Sequence, residues 1–184
     1  MKSVAEILES GTNKEKIEVL EKLALSDDFE IINKVISCLD DPDIEVRGEA
    51  FSSLILNKND ISDLLIESLN DSRKNIRGFA ALVLANRKDL KAIPKIIELV
   101  KDERSMVRSC ALGALGHLKA KEAKDIFHKS IFDSNLEVRK SAMHALINIE
   151  EKISQNELLE ISREKDHEIE NMVIKLKKGG PEGI

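Results

Sequence analysis

The chain has 184 residues, of which 42% are hydrophobic and 34% charged, and it contains only 3 Pro and 8 Gly. So few helix-breaking residues predict an all-α fold. The net charge of −5 argues against general nucleic-acid binding, because neutralising phosphates requires clustered Lys and Arg. No stretch of 18 apolar residues occurs and the N-terminus has no long apolar run, so we expect a cytoplasmic protein without a membrane span.

Apolar residues at helical spacing predict six pairs of helices along the chain. The first helix of each pair is predicted near residues 2–9, 28–39, 61–69, 90–101, 121–132 and 155–163. The second helix is predicted near residues 13–25, 44–57, 74–87, 105–119, 136–150 and 167–178. Turn and capping residues, such as Asp41-Pro42-Asp43, separate the two helices of a pair.

One short pattern recurs four times at the start of the second helices. A turn Asp is followed by a β-branched residue, then by Arg, Ala and Leu at fixed spacing. The copies are Asp41…Val46-Arg47…Ala50…Leu54, Asp71…Ile76-Arg77…Ala80…Leu84, Asp102…Val107-Arg108…Ala111…Leu115 and Asp133…Val138-Arg139…Ala142…Leu146. The Arg positions give nearly equal intervals of 30 (77 − 47), 31 (108 − 77) and 31 (139 − 108). Such a fixed period predicts a stack of helical hairpins.

Degenerate copies of the pattern lie at both ends of the chain. A shift by one repeat places Lys16 under Arg47 (47 − 16) and Glu170 under Arg139 (170 − 139). Terminal repeats differ from the others because each must present a polar face to water. We therefore predict four regular repeats and two capping repeats in a single domain of residues 1–178, followed by a disordered tail at 179–184.

The Asp-x₄-Val/Ile-Arg-x₂-Ala-x₃-Leu spacing resembles the short HEAT-like repeat first associated with phycobilisome lyases, and more loosely the longer HEAT and armadillo repeats. The resemblance is good from about residue 28 to residue 150 and weak at the ends. It implies a right-handed α-solenoid of about six helical hairpins, with the second helices on the concave wall. It leaves the function open, because relatives include scaffolds, lyase subunits, a hydroxylase and DNA glycosylases.

The repeated Asp and Arg residues have two interpretations. They form either a row of cations for phosphates or acidic partners, or an internal ladder in which each Arg bonds an Asp of its own or the adjacent repeat. We favour the ladder, because the planar guanidinium suits pairing with a carboxylate and an Asp lies six residues before every Arg. The ladder residues are Asp41, Arg47, Asp71, Arg77, Asp102, Arg108, Asp133 and Arg139.

No constellation of catalytic or metal-binding residues stands out. Cys38 and Cys110 fall at apolar helical positions and are expected to be buried or half-buried thiols. His117 and His144 occupy successive second helices but lack a third ligand, and the single His167-Glu168 pair contrasts with the several pairs of the hydroxylases. The chain has no Trp or Tyr for base stacking. We therefore expect no enzymatic activity and no cofactor or metal.

A partner-binding surface is predicted on the exposed face of the second helices, where the repeats differ from one another. Phe79 and Leu82 are expected as apolar anchors, unless they pack into the adjacent repeat instead. Glu49, Lys140 and His144 are expected to set the register of a bound segment. The predicted set comprises Glu49, Ser52, Phe79, Leu82, Asn86, Gly113, His117, Lys140, His144 and Asn148.

The sequence thus favours a non-enzymatic scaffold or regulatory adaptor that binds a helix or an extended segment of another protein through this concave face. An alternative is an accessory subunit of a bilin lyase or of another enzyme. Nucleic-acid binding ranks third because of the acidic net charge.

Overall fold

The computed structural model describes residues 2–163 and 166–178. Within these ranges the chain forms twelve α-helices and four short 3₁₀ helices, and no strand occurs among them. The residues fall into two compact units, the first ending at Lys95 and the second beginning at Ile96. The tail predicted at 179–184 lies outside the described residues.

The first unit consists of three helical hairpins. Its helices are α1 (Val4–Ser10), α2 (Asn13–Leu20), α3 (Phe29–Ser37), α4 (Ile44–Leu56), α5 (Ser62–Ser68) and α6 (Lys74–Asn86). Helix α1 contacts α3 and α3 contacts α5, which gives one layer of first helices. Helix α2 contacts α4 and α4 contacts α6, which gives a second layer. The apolar faces of both layers meet between them and form the core.

The second unit also stacks its second helices side by side. Its helices are α8 (Ser105–His117), α9 (Lys124–Ser130), α10 (Leu136–Asn148), α11 (Gln155–Ile161) and α12 (His167–Lys178), and the boundary between the units falls within α7 (Ile93–Leu99). Helix α10 contacts both α8 and α12. The approach of α8 to α10 requires glycine at 116, because a Cβ there would lie 2.8 Å from the Cα of Ala145.

The predicted fold class, an all-helical repeat protein, is confirmed by this architecture. Each helix lies where the apolar spacing predicts it, although several predicted segments contain a short 3₁₀ turn, as at Leu23–Leu25 and Cys38–Asp40. The β-branched residue, Ala and Leu of each motif are at most 2% exposed, at Val46, Ala50, Leu54, Ile76, Ala80, Leu84, Val107, Ala111, Leu115, Val138, Ala142 and Leu146. The repeated pattern therefore marks the core.

Three second helices end in the same strained turn. Lys88, Lys119 and Glu150 hold equivalent positions in consecutive repeats, and their φ angles are 59°, 53° and 58°. After α8, the Lys119 N–H donates to the Gly116 carbonyl at 3.2 Å and the Ala120 N–H donates to the Leu115 carbonyl at 3.0 Å. These two bonds define a Schellman motif, in which a side chain at the left-handed residue costs free energy.

We expect Lys119→Gly to raise the free energy of unfolding by about 0.5 to 1 kcal/mol, because glycine adopts this φ without steric strain. Lys121→Gly is the matched control, since it adds the same flexibility to the unfolded chain at a position that the structure does not place in the left-handed region. Urea denaturation of both variants measures the difference. Equal or lower stability of Lys119→Gly than of the natural chain would contradict the assignment.

Candidate functional site

A carboxylate folds the turn that precedes each regular second helix. Oδ1 of Asp41 accepts a hydrogen bond from the Asp43 N–H at 2.9 Å. The same bond, at 2.8 Å, joins Asp71 to Arg73, Asp102 to Arg104 and Asp133 to Asn135. A short side chain that bonds the backbone two residues ahead is what an Asx turn needs, and this explains the repeated Asp.

The Arg of each motif then closes the turn. Nη1 of Arg47 donates to the carbonyls of Asp41, at 2.7 Å, and Pro42, at 3.0 Å. The equivalent bonds run from Arg77 to Asp71 at 2.8 Å, from Arg108 to Asp102 at 3.0 Å and from Arg139 to Asp133 at 2.8 Å. For Arg47 this corrects the ladder interpretation, which assumed a carboxylate partner: the guanidinium bonds the main chain of its own turn.

A second kind of bond connects consecutive repeats, and we name it a rung. Arg108 donates from Nε and Nη2 to the two carboxylate oxygens of Asp133, at 2.9 and 2.8 Å, 25 residues later. Lys16 reaches Asp41 at 2.6 Å over the same 25 residues, so the capping repeat keeps this bond with a different cation. Both pairs are largely shielded from solvent, which strengthens the attraction between the charges.

The rung also sets the acidity of Asp133. The hydrogen bonds from Arg108 hold the pKa of the Asp133 carboxyl below its usual value, and the Asn135 N–H acts in the same direction. Because the folded state lowers this pKa, the rung stabilises the fold above the unfolded-state pKa of Asp, about 3.9, and the stabilisation disappears as the pH falls through the folded-state pKa.

We expect Asp133→Asn to lower the free energy of unfolding by about 1.5 to 3 kcal/mol at pH 7, the range for a hydrogen-bonded charged pair. The amide keeps the Asx turn but loses the charge. As the pH falls below the unfolded-state pKa of about 3.9, the difference between the variant and the natural chain should shrink progressively, because the unfolded chain takes up the Asp133 proton first and the folded chain follows at its lower pKa. Urea denaturation across pH 2 to 7 measures this difference, and a difference independent of pH would contradict the assignment.

The turn at Asp71 departs from the pattern. Here Arg73 takes the carboxylate, with Nε 2.9 Å and Nη2 2.8 Å from the two oxygens of Asp71. Asp71 also follows Arg47 one position sooner in the sequence than the rung spacing requires. Nη1 of Arg47 bonds the two turn carbonyls, whereas its Nε and Nη2 have no hydrogen-bond partner within 2–163 and 166–178. No rung therefore joins Arg47 to Asp71.

Arg73 also occupies the N-cap position of α6, where its side chain makes no capping bond. The same position carries Asp43 before α4 and Asn135 before α10, which cap their helices, and Arg104 before α8, which makes no capping bond. Asp71 and Arg73 thus form a local ion pair, while α6 has no side-chain cap and Asp71 forms no rung with Arg47. The repeat made of α5 and α6 therefore lacks the rung that Arg108 and Asp133 form in the second unit and Lys16 and Asp41 form at the start of the first.

An apolar cavity lies on the exposed side of the second helices at this point. We name it the α4–α6 groove; it measures about 280 Å³ and is lined by Ile44, Arg47, Gly48, Phe51, Phe79 and Leu82. The rings of Phe51 and Phe79 meet edge to face, with centroids 6.4 Å apart. Ile44 is 73% exposed at the groove. This places apolar surface in contact with water.

Phe79 and Leu82, the predicted anchors, both line this groove and are half-buried. Their position is compatible with both interpretations, and their role as anchors for a partner stays a prediction. Phe79 packs against Phe51 of the preceding repeat, and it also leaves part of its surface on the cavity wall. A side chain of this kind is fixed in place before any ligand arrives.

Gly48 forms part of the groove in the middle of α4. A Cβ added at Gly48 would meet no atom within 4 Å, so packing within the chain does not require glycine there. Glycine inside a helix costs about 1 kcal/mol relative to alanine. The residue leaves the α4 backbone open along the groove and admits close approach from outside.

The other predicted contact residues are distributed over both units. In the first unit Ser52 and Asn86 are exposed and Glu49 is half-buried. In the second unit the exposed residues are His117, His144 and Asn148, and Gly113 is half-buried. Their exposure is compatible with contact to a partner, but these residues line no cavity described for either unit.

Lys140 requires a correction. We expected it on the binding surface, but its side chain is only 13% exposed and its ammonium lies 2.8 Å from Glu168, 3.5 Å from Asp166 and 3.6 Å from Glu137. The carboxylates of the α12 region hold the pKa of Lys140 above its usual value, with the hydrogen bond to Glu168 as the main cause. Lys140 thus ties α10 to the terminal helix.

A polar network that the sequence did not reveal connects the loops at the other end of the first-unit helices. Arg87 donates to the carbonyls of Leu54, at 2.9 Å, and Asn59, at 2.8 Å, and also bonds that of Asn57. Asn57 in turn donates to the Ser26 carbonyl at 2.8 Å. Burial lowers the pKa of Arg87, which nevertheless stays protonated. These residues escaped prediction because they are not part of the repeated motif.

The described residues offer no evident reactive centre. Burial raises the pKa of both thiols, Cys38 and Cys110, to about 11, which disfavours the nucleophilic thiolate. No group of three or more His, Cys, Asp or Glu side chains in 2–163 and 166–178 is arranged to hold a metal ion. Within the same ranges, every helix is too short or too polar to cross a bilayer.

Residues 61–147 match the family model described as HEAT repeats. No curated protein sequence matches the chain. Among solved structures, the complex of CpcE and CpcF of phycocyanin lyase from Nostoc sp. PCC7120 is similar, with a TM-score of 0.69 and 17% identity over 82% of this chain and 99% of that chain. A designed armadillo repeat protein has a TM-score of 0.61 and 18% identity over 96% and 98% of the two chains.

Another designed armadillo repeat protein, in complex with the peptide (KR)4, has a TM-score of 0.58 and 17% identity over 96% of this chain and 97% of that chain. At such identities the similarity concerns the fold alone. Together with the family match over residues 61–147, it shows that the fold is an all-helical repeat fold similar to that of HEAT and armadillo repeat proteins.

Proposed function

We propose that this protein is a non-enzymatic adaptor that binds a helix or an extended segment of another protein on the exposed face of its second helices. The α4–α6 groove is its main anchor site. The observation that carries the proposal is the combination of apolar walls at Ile44, Phe79 and Leu82 with a glycine that packing does not require. Internal packing explains part of the position of Phe79, which contacts Phe51, but it explains neither the exposed Ile44 nor the glycine.

The size of the groove suits a side chain better than a cofactor. Pockets for small molecules usually measure about 300 to 1,000 Å³ and enclose most of the ligand. The groove has about 280 Å³ and is open along one side, which is enough for one or two large apolar side chains. Aromatic residues held in a preformed wall are typical of the few positions that dominate protein interfaces.

The similarity to the phycocyanin lyase structure favours a second candidate, a subunit of a heteromeric enzyme that acts on a bilin. That role would also require a protein partner. The two candidate functions therefore differ in whether the protein binds a bilin. Addition of phycocyanobilin to the protein, followed by absorption spectroscopy, separates them. The adaptor proposal predicts an unchanged bilin spectrum, and a changed spectrum at micromolar protein would favour the lyase-type role.

We expect Gly48→Leu to abolish binding while the protein stays folded. The leucine side chain would enter the α4–α6 groove without a clash, because a Cβ at position 48 meets no atom within 4 Å, and it should stabilise α4 by up to about 1 kcal/mol. Phage-displayed random dodecapeptides selected on the natural chain supply the probe. Affinities of the selected peptides are then measured by fluorescence anisotropy, with a loss of at least about tenfold expected for Gly48→Leu.

Ser52→Leu is the matched control, because Ser52 is exposed on the same helix one turn after Gly48 and does not line the groove. This variant adds an equal apolar side chain and should bind the selected peptides normally. Failure to select any peptide, or equal binding by the Gly48→Leu variant, would refute the groove as an anchor site.

A further inference from the structure

The guanidinium of Arg47 differs from that of Arg108 in what its outer edge contacts. In Arg108, Nη1 closes the turn, and Nε and Nη2 grip the two oxygens of Asp133. In Arg47, Nη1 closes the turn in the same way. Nε and Nη2 of Arg47, however, have no partner among the residues that the structure describes. The edge that binds a carboxylate in one repeat is thus available in the other.

The cause lies in the turn at Asp71. Arg73 binds both oxygens of Asp71 and keeps this carboxylate from Arg47. The ion pair holds the pKa of Asp71 below its usual value, mainly through the hydrogen bond from Arg73, so the carboxylate stays charged and occupied. Arg47 is therefore left without the acidic partner that its position in the motif provides elsewhere.

Arg47 also lines the α4–α6 groove, beside Ile44 and Gly48. Its two bonds to the turn carbonyls of Asp41 and Pro42 fix the guanidinium before any ligand binds. A fixed guanidinium loses little side-chain entropy on binding and presents two parallel donors, a geometry that matches a carboxylate. The site thus combines a directed cation with an adjacent apolar cavity.

We infer that the groove recognises an acidic residue paired with a large apolar residue in the partner segment. An Asp or Glu carboxylate of the partner accepts hydrogen bonds from Nε and Nη2 of Arg47, and the neighbouring apolar side chain fills the cavity between Phe79 and Gly48. This inference rests on the proposed adaptor function and adds the chemical class of its partner. The partner carboxylate would bind Arg47 in the way that the Asp133 carboxylate binds Arg108.

A carboxylate fits this site better than a phosphate or a basic group. A phosphate carries up to two charges, and only one cation lines the groove. A basic segment would place its cations against Arg47, so a partner resembling (KR)4 is not expected.

The experiment begins with random dodecapeptides displayed on phage and selected on the natural chain and on Arg47→Gln. The natural chain should enrich peptides with Asp or Glu within three residues of Leu, Ile, Phe or Trp. Arg47→Gln should enrich apolar residues without the acid. A synthetic selected peptide and its neutral Asn or Gln form are then compared by fluorescence anisotropy. We expect the neutral form to bind the natural chain about tenfold more weakly, and Arg47→Gln to bind both forms equally.

Two variants separate recognition from folding. Arg108→Gln removes a rung in the second unit and should leave the tenfold preference for the acidic peptide unchanged. Arg73→Asn, which copies Asn135, releases Asp71 to compete for Arg47 and should reduce the preference for the acidic peptide to less than about threefold. Circular dichroism shows whether Arg47→Gln folds. If it does not fold, Arg73→Asn serves as the test, because this variant keeps Arg47. An undiminished preference of Arg73→Asn for the acidic peptide would then overturn the inference.

The outcomes distinguish this inference from the proposed function. If no peptide is enriched on the natural chain, the groove does not bind a protein segment and both fail. If apolar peptides bind but the acidic and neutral forms bind equally, the adaptor proposal stands and the carboxylate site is overturned. Enrichment of Lys-rich or Arg-rich peptides overturns it as well. The carboxylate site is also overturned if a synthetic peptide with phosphoserine in place of the acidic residue binds more tightly than the acidic peptide.

Discussion

The turn before each regular second helix is closed from both sides by one Asp and one Arg. The Asp carboxylate binds the backbone two residues ahead, and the guanidinium six residues later binds the carbonyl of the same Asp. These bonds satisfy polar groups that would otherwise be left at the start of the helix. They also fix where the helix begins, and hence which residues face the core. The buried Val or Ile, Ala and Leu of the motif depend on this start.

The two edges of the motif guanidinium make different contacts. One edge always closes the turn, whereas the other joins the next repeat only where a carboxylate is within reach, as for Arg108 and Asp133. In that unit α8 and α10 pack so closely that Gly116 has no room for a side chain. In the first unit Asp71 is taken by Arg73, and the apolar α4–α6 groove lies beside the Arg that lost its partner.

Much of the fold was predictable from the sequence, because helices and core follow from the nearly constant period of the motif and from apolar spacing. The groove was only partly predictable. Phe79 and Leu82 follow from the outward positions of the motif, but Lys140, at an equivalent outward position, is bound by carboxylates of the next repeat. Arg47 forms no rung with Asp71, whose carboxylate binds Arg73 instead. The aligned motif residues do not reveal this, because Arg73 is not one of them. The one shorter interval of the motif, 30 residues between Arg47 and Arg77 (77 − 47), was the visible sign in the sequence.

The central claim is that the rung is present at Arg108 and absent at Arg47, and two double-mutant cycles on unfolding free energy measure this directly. One cycle combines Arg108→Gln with Asp133→Asn, and the other combines Arg47→Gln with Asp71→Asn. The amide in each Asp variant retains the Asx turn, so the coupling reports the charge pair. We expect a coupling of about 1 to 2 kcal/mol for the first pair and less than about 0.3 kcal/mol for the second. Equal couplings would contradict the claim.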